Sequence, residues 1–121
     1  MTTEAPNIFL TLDVEREGDE SVVHCRGTLV SGACSYLHKV VYPLIADSKR
    51  IVLDLAEVQW VDSMGLGALV RLHVVSKKNG CQLQLVNLGE RVKNLLSLTN
   101  LLGVFGEIGE RSVSSDRGQS S

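Results

Sequence analysis

Ser63 lies in the run Asp62-Ser63-Met64-Gly65-Leu66-Gly67, which follows the apolar strand pattern Arg50–Leu55 and opens a helical pattern from about Met64 to Lys78. Asn79-Gly80 ends that helix. A hydroxyl so placed meets outward-pointing amides at the positive end of a helix dipole. Two kinds of chemistry suit it: attack on a substrate, or acceptance of an anionic group.

Attack is disfavoured because no base is at hand. The Gly-x-Ser-x-Gly elbow is absent, and His73 lies ten residues along the same helix, about 15 Å away at 1.5 Å per residue. His24 falls in a strand pattern and His38 in another helix, and nothing directs either toward the serine. No Walker lysine, Gly-x-Gly-x-x-Gly loop or metal-ligand spacing occurs. The expectation is a protein without catalytic residues, cofactor or metal. Acceptance remains: a phosphate on Ser63 adds about −1.5 to −2 charge at the helix N-terminus. The dipole contributes about 0.3–1 kcal/mol in its favour, whereas an unmatched charge buried under a partner costs about 2–5 kcal/mol. The partner effect wins, by about 30-fold to several-thousand-fold in affinity.

Structural roles compete for the same residues. Asp62 or Ser63 can serve as N-cap, and Gly65 and Gly67, each about 1 kcal/mol worse than alanine in a helix, imply either tight packing or close backbone approach from outside. Around the helix, Leu66, Leu69, Val70, Leu72 and Val74 form one broad apolar side, while Met64, Ala68 and Val75 fall outside it. The three are either covered by neighbouring helices or, for Met64 and Ala68, part of a docking surface beside Ser63.

The elements that position this loop follow from periodicity. Ile8–Val14 and Ser21–Arg26 form a hairpin about the polar stretch Glu15–Glu20, and Gly27 ends its second strand. Leu29, Ala33, Leu37, Val40, Val41, Leu44 and Ile45 then mark a helix with a kink or restart expected at Pro43. Beyond the serine-bearing helix come a strand, Gln82–Val86, a helix, Glu90–Leu98, and a short last strand near Val104–Ile108. This order predicts one α/β domain over 1–109, with a small mixed sheet of four to five strands and helices mainly on one side. From Glu110 the chain holds a single large aliphatic residue, Val113, and a disordered tail is expected over 110–121.

Bulk properties narrow the class. The 121 residues are 44% hydrophobic and 21% charged, enough for one core. A net charge of −2, with no basic stretch longer than Lys77-Lys78, gives no footprint for nucleic acid. Arg71, His73, Lys39 and Pro43 interrupt the apolar helices, and Met1-Thr2-Thr3-Glu4 lacks the basic and apolar regions of an export signal, so neither membrane insertion nor export is expected. Cys25, Cys34 and Cys81 are widely spaced and odd in number, which points to a reduced, cytoplasmic protein.

The run Ile51 to Leu69, supported by Gly80–Asn87 and Leu96–Leu101, resembles the STAS domain of anti-sigma factor antagonists. That resemblance implies a regulatory serine at Ser63, with Asp62, Ser63, Met64, Gly65, Leu66, Gly67 and Ala68 as the partner-binding stretch. It further implies a phospho-switchable module that binds an anti-sigma factor, often a serine kinase, when Ser63 is unphosphorylated, with a serine phosphatase reversing the modification. An alternative within the same fold is a never-phosphorylated scaffold subunit of a lipid-transport ABC system. The chain departs from the family twice. Met64 stands where a second serine or threonine is frequent, and Val30, in Gly27-Thr28-Leu29-Val30, where an aspartate is.

Overall fold

The computed structural model describes residues 7–99 and 108–109, the last two by their backbone. Strand β1 (Leu10–Glu17) turns into β2 (Glu20–Leu29), followed by helix α1 (Ser31–Asp47), β3 (Arg50–Val61), α2 (Ser63–Lys78), β4 (Gln82–Val86), α3 (Glu90–Leu98) and β5 (Ile108–Gly109). The five strands pair in the order β1-β2-β3-β4-β5. The first pair is antiparallel and the others are parallel, so the sheet is mixed as expected. The tail expected over 110–121 lies outside the described residues, as does most of the expected last strand, of which Ile108–Gly109 is described.

One face of the sheet carries the core. Alternate side chains Val23, Cys25, Ile51, Leu53, Leu55, Leu83 and Leu85 pack against Ala33, Leu37, Val41 and Ile45 of α1, Leu66, Leu69 and Leu72 of α2, and Val92 and Leu96 of α3. All three helices therefore cover the same side. The opposite face carries the separate cluster Val22, Val52 and Val86 and, toward β1, the polar side chains of Glu15, His24 and Asp54. No helix among the described residues is long and apolar enough to cross a membrane.

Four expected features shift. The hairpin turn is only Gly18-Asp19, with Gly18 at φ +61° and Glu17 paired to Glu20, so the charged residues on either side belong to strands. Gly27 does not end β2. It sits within the strand at φ +116°, next to a register shift, where a Cβ would lie 2.2 Å from the Phe9 carbonyl oxygen. Helix α1 runs through Pro43 without a restart, because Pro43 lies on the exposed face, where water can satisfy the carbonyl that loses its donor. Strand β3 also extends six residues past Leu55, to Val61, and this extension carries the chain to the N-terminus of α2.

Candidate functional site

The end of β3 and the end of β2 are tied together before the site begins: the Asp62 amide donates to the Leu29 carbonyl at 3.2 Å. Asp62 is extended, at φ −95° and ψ −177°, and caps α2 through Oδ1, which accepts from the Gly65 amide at 2.9 Å. Its Oδ2 accepts from the Ser31 amide at 3.4 Å, at the start of α1. A single carboxylate thus bridges two helix N-termini. That matters because Val30, the N-cap of α1, offers no side-chain cap of its own.

This settles the choice between Asp62 and Ser63 as cap. Asp62 does the capping, and Ser63 is the first residue of α2, exposed, with its hydroxyl free of that duty. The same geometry tempers the attraction of an anion, since Asp62 already places negative charge at the dipole's positive end and occupies the Gly65 amide. A group attached to the Ser63 oxygen is directed into solvent.

The seven expected binding residues divide by burial. Ser63 and Met64 are exposed, Met64 at 53%, while Asp62 and Gly67 are half-buried. Gly65, Leu66 and Ala68 are buried and support the surface from beneath. Ala68 is therefore not an outward residue, and Val74, placed on the apolar side by its helical phase, is exposed instead. The two glycines also separate. A Cβ on Gly65 would meet the Leu29 carbonyl oxygen at 2.1 Å, so this glycine permits α2 to touch the end of β2. A Cβ on Gly67 would meet nothing within 4 Å among the described residues, so their packing gives no reason for it.

The histidines do not approach the serine in a catalytic arrangement. His24 is engaged on the other face of the sheet, with Nδ1 2.9 Å from Asp54 Oδ2 and Nε2 3.3 Å from Glu15 Oε1. Burial lowers its pKa, but hydrogen bonds and charge from Asp54 and Glu15 outweigh this and leave it raised. His73 lies farther along α2, where burial and the charge of Lys77 lower its pKa. His38 is on α1, stacked on Tyr42 with ring centroids 4.9 Å apart.

The thiols are similarly unsuited to nucleophilic work. Burial pushes Cys25 up to about 12 and raises Cys34 and Cys81. Among the described residues no group of histidine, cysteine and carboxylate side chains is placed to hold a metal ion. The site is thus an exposed hydroxyl beside an exposed methionine on a capped helix start.

Two features were missed in the sequence. Cys34 Sγ lies 3.4 Å from both the Val30 and the Met64 carbonyl oxygens, which joins the start of α1 to the serine loop. From there a groove runs between α1 and α2, lined by Cys34, Ser35, His38, Lys39, Ala68, Arg71 and Leu72. The sequence marks Arg71 as an interruption of an apolar helix, and the pairing of α1 with α2 that makes it a groove wall is a tertiary fact.

Comparison with known proteins agrees with the fold. The chain matches the STAS domain family over residues 11–115. The anti-sigma-B factor antagonist of Bacillus subtilis is 29% identical over 96 residues, spanning 79% of this chain and 88% of that protein. An anti-sigma factor antagonist from Mycobacterium paratuberculosis has the same fold, with TM-score 0.75 and 24% identity over 92% of each chain. Bacillus SpoIIAA in its phosphorylated form aligns with TM-score 0.69 and 14% identity, over 85% of this chain and 93% of that one. The chain belongs to the STAS domain family, and its relatives there include anti-sigma factor antagonists.

Proposed function

We propose that this protein is an anti-sigma factor antagonist that binds its anti-sigma factor through the surface around Ser63 and Met64 and is switched off by phosphorylation of Ser63. The observation that carries this reading is that Asp62 takes over the capping of α2, leaving Ser63 exposed at the first helical position. Similarity to the anti-sigma-B factor antagonist of Bacillus subtilis supports the partner class. Met64 leaves Ser63 as the hydroxyl of the loop, so one modification sets the state.

The switch needs no conformational change. In the free protein the phosphate faces water, and Asp62 offsets what the dipole would contribute, so the fold is left nearly unaltered. In the complex the same charge is desolvated without a partner, at about 2–5 kcal/mol. The anti-sigma factor is itself the serine kinase in this reading, and a serine phosphatase restores the binding form. Incubation with ATP and a serine-kinase anti-sigma factor, followed by intact-mass measurement, tests it: one phosphate is expected on the wild type and none on Ser63→Ala. Absence of the phosphorylated species in wild type, with the kinase shown to be active, rejects the switch in favour of an unmodified STAS scaffold.

A further inference from the structure

Charge is segregated across the fold in a way the net value of −2 conceals. Helices α1 and α2 carry Lys39, Arg71, Lys77 and Lys78 against the single carboxylate Asp47, which lies 3.8 Å from Arg16 of β1. The β1–β2 hairpin holds five carboxylates against two arginines. The helix side is therefore cationic and the hairpin anionic. The groove between α1 and α2 lies on the cationic side, and among the described residues no carboxylate lines it. Its floor includes Ala68 and Leu72, both buried, and its walls carry Lys39 and Arg71. The 3.4 Å contact of Cys34 Sγ with the Met64 carbonyl makes it continuous with the serine surface.

Resting on the function proposed above, we infer that the α1–α2 groove is the extended part of the partner-binding surface and takes an acidic, amphipathic segment of the anti-sigma factor. Apolar side chains of that segment seat on Ala68 and Leu72, and its carboxylates face Lys39 and Arg71. Charge complementarity selects this occupant: a basic segment would bring like charges together in the groove, a cost that disfavours wrong partners. The arrangement also gives the switch a direction. Ser63 and Arg71 are eight residues apart on one helix, about 12 Å, which exceeds the screening length of about 8 Å at physiological salt. A phosphate therefore does not neutralise Arg71 from a distance. It acts where the acidic segment leaves the groove over Met64, by repelling it directly.

Two measurements on the full chain test this. The first follows amide shifts while a synthetic helical peptide of leucine and glutamate, and its leucine–lysine counterpart, are added. Shifts at Ser35, Lys39, Ala68 and Arg71 are expected with the glutamate peptide and not with the lysine peptide. Arg71→Glu should weaken that binding about tenfold, Arg71→Gln by less, and about 0.5 M salt should suppress it. Equal shifts with both peptides, no shifts, shifts confined to the hairpin face, or Arg71-dependent adsorption to phosphatidylglycerol vesicles overturns the inference. The second measures the anti-sigma factor's affinity for Arg71→Glu. If Ser63 is phosphorylated and Ser63→Glu loses the partner while Arg71→Glu binds it normally, the groove assignment fails and the function stands. If the groove takes the glutamate peptide and the partner needs Arg71, yet Ser63 is never phosphorylated, the switch fails and the groove stands.

Discussion

Asp62 is the residue on which the site's geometry depends, because its two carboxylate oxygens serve the Gly65 and Ser31 amides at once. Replacing it by alanine removes the side-chain cap of α2 and a contact at α1, where Val30 offers none. Asp62→Ala should cost about 1–2 kcal/mol in chemical denaturation, and Asp62→Asn distinctly less, since asparagine also caps. The glycines give a sharper contrast. Gly67→Ala should stabilise the protein by roughly 0.5–1 kcal/mol, because it restores helix propensity in open space. Gly65→Ala should destabilise it, since its Cβ has a backbone carbonyl to displace. If Gly67→Ala gains stability but loses affinity for the partner, Gly67 is there for backbone access from outside. The sequence singled out both glycines but could not separate them, because the obstacle at Gly65 is the Leu29 carbonyl, brought there by tertiary packing. It likewise left Asp62 and Ser63 tied as caps, a tie broken only by where one carboxylate points.

At the scale of elements, legibility followed the strength of the hydrophobic period. Helix α2, strand β4 and helix α3 stand close to where their patterns place them. The second half of β3, Ala56–Val61, was missed because Glu57, Gln59 and Trp60 are exposed and two register shifts against β2 break its alternation. The sheet face away from the helices carries a pH-dependent link that no motif announced. His24 on β2 bridges Glu15 on β1 and Asp54 on β3, while Asp13, its antiparallel partner, faces Arg26, which also reaches Glu57 at 3.0 Å. With the folded pKa raised, the stabilising contribution of His24 is fully present below its unfolded pKa of about 6.5 and is lost as pH rises through the folded value. The denaturant midpoint of wild type should therefore exceed that of His24→Gln by more at about pH 6 than at about pH 8.5. A difference that stays flat over that range would show that the bridge contributes nothing electrostatic.

The whole molecule separates its tasks by side. The helices bury the core against one face of the sheet, which leaves the start of α2 projecting at the edge where β2, β3 and α1 meet. The fold class was readable from the strand and helix order. The proposed partner surface was only half readable, since net charge hides a cationic helix pair and an anionic hairpin. Summing charge by element would have revealed that asymmetry, although the α1–α2 pairing that makes it a groove would not. The central claim is that phosphate on Ser63 abolishes binding while leaving the fold intact. Calorimetric titration of a serine-kinase anti-sigma factor into the unphosphorylated and the phosphorylated protein, paired with a thermal melt of each, tests it most directly. The predicted result is a loss of affinity of at least about 30-fold, with melting temperatures that agree within a few degrees. Equal affinities, or a melt that drops by many degrees on phosphorylation, would contradict it.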